Sequence, residues 1–309
     1  MSNEKVRELV LVTGANGQIG QTVCLLLRAQ GLPLLATDIA SPDPLIRKAG
    51  FRDFMRCDLT SKENAQHLFE SNPIRAVIHL AAVLPTATLA NPLAATAVNV
   101  CGSLHLLEQS VRTGVRRFVF ASSMSVFGSV RGSGRVSEDD VPVPDDPYGA
   151  AKRTVEIVGE RLSNLAGLEF VSLRIARVIG GTAHNSASPW RSQILEDARN
   201  SPGAHPIAIP FLPDARLSLV HTDEVARMLV LLATTFHLPH TLYHSPAELW
   251  TAGALKDAIE KATSRRIELA TGQAPDPGVA SNGSRFVEDF HFQLHGVAQY
   301  FKPHRTAAP

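Results

Sequence analysis

The sequence predicts a doubly wound α/β fold, a parallel sheet with helices on both faces, carrying a smaller C-terminal lobe. Three observations lead there. Short β-branched or aromatic runs alternate with helix-period segments through residues 8–175, and every parallel crossover needs a helix. A glycine-rich turn, Thr13-Gly14-Ala15-Asn16-Gly17-Gln18-Ile19-Gly20, joins the first strand to the first helix. Beyond Gly180 the alternation stops, and Gly, Pro, His and Ser become frequent. Residues 1–180 are therefore expected to form the sheet domain, with elements near 217–245 returning to it, and residues 181–309 mainly the lobe.

In order, Glu8–Thr13 reads as a strand and Gln18–Gln30 as a helix stopped by Gly31. Pro33–Asp38 is a second strand and Phe51–Cys57 a weaker third, before a helix from Ser61, a good N-cap, to Glu70. Ala76–Leu80 is the fourth strand, and Pro92–Thr113 a long helix with proline in its first turn. Val115–Ala121 is the fifth strand, Pro147–Ala166 a helix, and Leu168–Ile175 the sixth strand. In the lobe, helices are expected at Pro189–Asn200, Thr222–Thr235 and Thr251–Thr263, with a loop-rich tail after Gly272.

Composition removes several function classes. The 309 residues hold 30 basic and 29 acidic side chains, a formal charge of +1, so the clustered positive charge that draws a protein to nucleic acid or anionic lipid is missing. The three cysteines, Cys24, Cys57 and Cys101, have neither disulfide-framework nor metal spacing, and the histidines show no ligand pattern; no metal is expected, and reduced thiols suit a cytoplasmic setting. The first ten residues mix charges and do not read as a secretory signal. Ala76–Leu107 lacks Asp, Glu, Lys and Arg, but His79, Pro85, Asn91, Pro92 and Asn99 punctuate it, so a buried strand and helix are expected rather than a membrane span.

The glycine turn has the chemistry of a phosphate cradle. Gly14 permits a sharp turn, Gly17 removes a Cβ where a pyrophosphate must approach, and Gly20 lets helix and strand pack closely, while the helix N-terminus faces the anion. Asp38, at the end of the second strand, can accept both ribose hydroxyls and repels a 2′-phosphate; Ile39-Ala40-Ser41 puts no arginine beside it. NAD is the expected cofactor, on a Rossmann-type domain.

A second constellation follows. Tyr148 and Lys152, four residues apart at a helix start, share one face. A tyrosine has an ordinary pKa of about 10. A neighbouring ammonium, with a positively charged nicotinamide, favours the phenolate, which can take an alcohol proton. Ser123, in Ser122-Ser123-Met124-Ser125, stands at the carboxyl end of the fifth strand, where ligands of such sheets bind. Ser122 and Ser125 compete with it for the role of holding the reacting oxygen.

Together, TGANGQIG, Asp38, Asp58-Leu59, His79-Leu80-Ala81-Ala82, Asn99, SSMSVFG, Tyr148/Lys152 and Leu173-Arg174-Ile175 resemble the extended short-chain dehydrogenase/reductases, of the NAD-dependent epimerase/dehydratase type. The resemblance implies that Asp58 and Leu59 border the adenine, that Leu80, Ala81 and Ala82 line the cofactor, and that Asn99 orders the catalytic groups. It implies that Ser123, Tyr148 and Lys152 are the catalytic set, and that a homodimer forms through the helices at 92–113 and 147–166. A sugar or sugar-nucleotide substrate is expected, with nucleotide-sugar epimerisation as the first reading.

Departures from the family pattern support an alternative. Met124-Ser125 stands where sugar-nucleotide dehydratases carry Asp-Glu, Arg177 where epimerases have Asn, and Leu217 where they place an Arg, with Arg216 one residue off. Arg174, Arg177 and Arg191 instead follow the sixth strand, and an arginine fork binds a carboxylate bidentately, a structural ion pair being the alternative for Arg174. With Ser125 and the 185–190 stretch on substrate hydroxyls, these residues suggest a dehydrogenase of a free uronate or aldonate. A non-catalytic NAD-sensing protein is the remaining reading, disfavoured because Tyr148 and Lys152 are both present. His221 and Asp223 are expected to form a helix-start pair, and His79 to satisfy backbone groups at its strand end.

Overall fold

The computed structural model describes residues 8–48, 54–129, 135–180, 190–194, 206–263 and 265–301. In chain order, β1 (Leu9–Thr13), α1 (Gln18–Ala29), β2 (Leu34–Asp38), α2 (Pro44–Lys48), β3 (Phe54–Arg56), α3 (Lys62–Glu70) and β4 (Ile74–His79) build the first half. Then come α4 (Pro85–Ala90), α5 (Pro92–Thr96), a π-helical turn (Ala97–Gly102) running into α6 (Ser103–Thr113), β5 (Arg117–Ser123) and a 3₁₀ turn (Met124–Phe127). β6 (Arg135–Val136), α7 (Pro147–Ala166), β7 (Glu169–Ile175) and β8 (Arg177–Ile179) follow.

The main sheet is wholly parallel and has seven strands, not the six read from the sequence. Its order is β11-β7-β5-β4-β1-β2-β3, where β11 is Leu242–His244. The order reverses at β1, which lies between β4 and β2, and opens a crevice at the carboxyl ends of those strands. Strand alternation divides the apolar residues between two faces. Val12, Ala36, Ile78 and Val119 join one core cluster with Val23 and Leu27 of α1; their neighbours Leu11, Leu35, Val77 and Phe118 join another with Leu68 of α3, Leu106 of α6 and Val155 of α7.

The lobe has its own core. A short helix, α8 (190–194), precedes β9 (Ile207–Ile209) and β10 (Arg216–His221); α9 (Thr222–Thr234) then returns to the main sheet and packs along α1. β12 (Glu248–Thr251), α10 (Ala252–Thr263) and β13 (Ile267–Leu269) complete it, with Trp190, Ile207, Phe211, Leu217, Leu255 and Phe301 among its buried residues. β10 pairs with β8 and β12 in a separate sheet of three strands, so of the returning segment only α9 and β11 join the main layer. The remainder of the expected helix at 189–200 lies outside the described residues.

The long helix at 92–113 contains the π-helical turn, and α4 precedes it as a separate element, because the Asn91 side chain accepts from Ala94 N and starts a new helix. The tail after Gly272 is more ordered than expected. β14 (Ala280–Ser281) pairs with β6, and α11 (Ser284–Phe290) buries Phe286 against Tyr243, Phe290 and Phe292.

Candidate active site

The cofactor-side residues assemble at the reversal point. A Cβ on Gly14, whose φ is +67°, would meet Ala81 N at 2.7 Å, and one on Gly20 would stand 2.1 Å from Gly14 O, so strand, turn and helix contact one another through bare backbone. Gly17 is the N-cap of α1, with no capping side chain and no acidic residue in the first turn. The orphan N–H groups and positive end of α1 are thus left for an external anion. Asp38 accepts from Asn16 N at 3.0 Å and Ala40 N at 3.2 Å, one bond to each oxygen, which leaves lone pairs for a ribose diol. These residues fit NAD.

Neighbouring groups serve the loop. Asn16 spends its side chain on Ser41 O and Asp43 N. Gln18 reaches Thr222 at the start of α9, and Ile19 packs on the sheet core. Thr13 Oγ1 accepts from both Leu80 N and Ala81 N at 3.2 Å, holding the Leu80–Ala82 segment under the glycine turn. Asn99, in the π-helical turn, accepts from Val83 N at 2.7 Å and donates to Val83 O at 2.9 Å, so it clamps the end of that segment. Asp58 caps its own turn through Thr60, and Leu59 is buried against Gly102. His79 differs from expectation: its ring nitrogens meet two hydroxyls, Thr13 at 2.7 Å and Ser103 at 2.8 Å, rather than backbone. Burial, then Lys152, pushes it down to about 3, so it is neutral.

Three elements bring the catalytic candidates together. Asp146 caps α7 by accepting from Tyr148 N at 2.8 Å and Gly149 N at 3.0 Å, which fixes Tyr148 in the first turn beside Pro147. Ser123 ends β5 and caps the 3₁₀ turn; its hydroxyl donates to Ser125 Oγ at 3.1 Å and lies near the Tyr148 phenol. Ser122 donates to Glu156 at 2.6 Å in the interior, which leaves Ser123 as the serine near the tyrosine. Lys152, one turn after Tyr148, donates to Ala121 O at 2.7 Å, with its ammonium 5.7 Å from the Tyr148 ring centre.

Electrostatics at this cluster are not as the spacing suggested. Burial pushes the Tyr148 phenol up to about 12, and the cation that pulls it back most is the Arg191 guanidinium, with the nearby Ser123 hydroxyl adding to it. Burial likewise draws the Lys152 ammonium down to about 8, opposed by Glu156.

The three arginines separate. Of the two readings of Arg174, substrate ligand or structural ion pair, its side chain takes the second: it is fully buried and bidentate to Glu156 at 3.0 Å from both Nε and Nη2. Arg177 donates to Pro277 O at 2.9 Å and lies on the Phe211 ring, bracing the 274–277 loop over a cleft of about 400 Å³ lined by Leu212, Asp214 and Ala215. Arg191 lies within electrostatic reach of Tyr148, and its buried Nε has no hydrogen-bond partner among the described residues. Asn185 and its neighbours through Pro189 lie outside the described residues. No group of three or more His, Cys, Asp or Glu able to hold a metal occurs among the described residues, and none of their helices is long and apolar enough to cross a membrane.

The NAD dependent epimerase/dehydratase family model matches residues 10–241. The chain belongs to this family. Among curated relatives it is similar to the uronate dehydrogenase of Pseudomonas syringae pv. tomato, 31% identical over 54% of this chain and 58% of that protein. It is likewise similar to the UDP-glucuronate 4-epimerase of Thermodesulfobacterium geofontis, 31% identical over 59% of each chain. The chain thus spans somewhat over half the length of these relatives. Its fold is that of the Thermus thermophilus UDP-glucose 4-epimerase solved with NAD, with TM-score 0.82 and 24% identity over 95% of this chain and 96% of the other.

Two residues of the candidate site escape the sequence reading. Thr13 looks like an ordinary strand residue until its hydroxyl is seen holding the backbone of Leu80 and Ala81. Glu156 does carry a signal: it stands one further turn along the Tyr148/Lys152 face of α7, an acid where that face meets the sheet.

Proposed function

We propose that the protein catalyses NAD-dependent oxidation of a hydroxyl on a carboxylated sugar, a free uronate or aldonate. The observation that carries this reading is Arg191, a guanidinium within electrostatic reach of Tyr148 whose buried Nε has no hydrogen-bond partner among the described residues. A substrate carboxylate would satisfy that nitrogen and bring a hydroxyl to the phenol. Tyr148 accepts the hydroxyl proton, Ser123 holds the oxygen, and the Lys152 charge favours the phenolate. NAD, when bound, supplies the hydride acceptor.

The nucleotide-sugar epimerase reading is supported by the UDP-glucuronate 4-epimerase relative, whose named substrate also bears a carboxylate. Against it stands β10. Leu217, where epimerases place an arginine, is buried in the lobe core, and Arg216 lies on the opposite face of the strand. Incubation with excess NAD⁺ and a panel of free uronates, aldonates and UDP-sugars separates the two. NADH accumulating with a free acid is expected; isomers of a UDP-sugar without net NADH would overturn the dehydrogenase reading. Arg191→Met should raise KM for the acid about 10- to 100-fold, the loss of one charged hydrogen-bonding partner. An unchanged KM would remove the carboxylate from that position.

We also infer that two copies pair through α4, α5 and α7, which pack together and expose Leu89, Leu93 and Ile157 to solvent. Leu93→Glu should turn a dimeric sedimentation boundary into a monomeric one; a wild-type monomer would overturn the pairing.

A further inference from the structure

α7 grips the end of β5 at two successive residues. Lys152 donates to Ala121 O at 2.7 Å and Glu156 accepts from the Ser122 hydroxyl at 2.6 Å, while Tyr148, one turn before Lys152, has the Ser123 hydroxyl near its phenol. The three helix residues follow one another at four-residue spacing, so they form one row along a single face. Of these contacts, the one to Glu156 is the most heavily built. Its buried carboxylate also takes Arg174 Nε and Nη2 and Arg153 Nη1, each at 3.0 Å.

Arg174 carries that anchor to the other side of Ser123. It lies opposite Ser122 in the β5–β7 register, and its guanidinium sits 5.1 Å from the ring centre of Phe127. Phe127 ends the 3₁₀ turn that Ser123 caps. A buried ion pair contributes little net stability compared with apolar packing of the same volume, so packing alone does not call for this carboxylate.

We propose that Glu156 is a positioning residue: held by Arg174, it locks the Ala121–Ser123 end of β5 onto α7 and thereby sets the alignment of Ser123 with Tyr148. The proposal rests on the reading of Tyr148 as proton acceptor. A consequence concerns charge. The ammonium of Lys152 is faced by Tyr148 and Glu156 from α7, by the neutral His79 from β4 and by the Phe120 ring from β5, while Arg174 of β7 and Arg153 of α7 reach it only across Glu156. Glu156 is the one anion of this set that favours its charged form, against the burial that draws it to about 8.

The test uses the full-length protein with Glu156→Gln, which keeps the side-chain shape, and Ser122→Ala, which cuts the strand contact but leaves the ion pair. Turnover of a free uronate by Glu156→Gln should fall about 10- to 100-fold, the scale of a small misalignment, with NAD affinity unchanged. ε-¹³C-lysine NMR, with the Lys152 signal assigned through Lys152→Arg, needs no substrate. Its titration midpoint should drop below the wild-type value in Glu156→Gln. A folded Glu156→Gln with wild-type turnover and an unmoved midpoint overturns the proposal. A purely structural role would lower thermal stability and leave the midpoint in place, which also overturns it. If Glu156→Gln does not fold, Ser122→Ala decides: an unchanged Lys152 signal and unchanged turnover overturn the proposal, and a displaced signal supports it. Wild-type protein that oxidises no sugar acid would refute the proposed function, and the Lys152 titration would still judge Glu156.

Discussion

Tyr148→Phe should lower kcat about 10²- to 10⁴-fold, the range of a lost acid–base group, while NAD affinity stays within a factor of about two, since no cofactor bond proposed above depends on the phenol alone. The fold should survive the change. Ser123 keeps Ser125 as a partner, so removing the hydroxyl strands no buried polar atom. The pH profile supplies the sign. Because burial raises the phenol to about 12, nearly all of it is protonated at neutral pH, and oxidation by the wild type should speed up as pH rises and the phenolate fraction grows. Near pH 8 Lys152 begins to lose the charge to which the proposed mechanism gives a part in favouring that phenolate, so under that mechanism the rise should level off there. Initial rates of NADH formation between pH 6 and 10 check both features. A profile still climbing tenfold per pH unit through pH 10 would mean that the Lys152 charge does not set the phenolate fraction, and a Phe variant that turns over normally would mean that another group takes the proton.

Much of this was legible in the chain because it rests on local rules. The alternation of strand and helix, the glycine turn and the Pro147 start of α7 need only neighbouring residues to be read, and α7 runs over the expected Pro147–Ala166. Where the sequence reading failed, the deciding partner was distant. β11 is three residues set among Pro and His, and it is a strand because Ser172–Arg174 offers it an open edge. α11 forms in a loop-like tail because Phe286 finds a cluster of aromatic rings. In the sequence Arg174 reads toward substrate as readily as toward an ion pair because its partner, Glu156, lies on another element, and only the register of β7 against β5 turns the guanidinium inward.

The same ion pair gives the largest expected effect on stability. Arg174→Met should cost about 3–5 kcal/mol of unfolding free energy, because it leaves the buried Glu156 carboxylate without its bidentate partner. Arg153 and Ser122 remain, which places the loss toward the lower end. In the wild type, burial would raise the Glu156 carboxyl, but the hydrogen bond and charge of Arg174, with Ser122 and Arg153, hold it below its ordinary value. That depressed value contributes stability above the unfolded carboxyl range, and the contribution is lost as pH falls through the folded value. In Arg174→Met burial dominates and the carboxyl rises, so the sign reverses: the variant is most destabilised at neutral pH and regains part of the loss toward pH 5, as Glu156 takes up a proton. Urea unfolding of both proteins at pH 7.5 and 5 measures the difference directly. A penalty equal at the two pH values would mean that the loss comes from the packing of the arginine stem on Phe127 and not from the stranded charge.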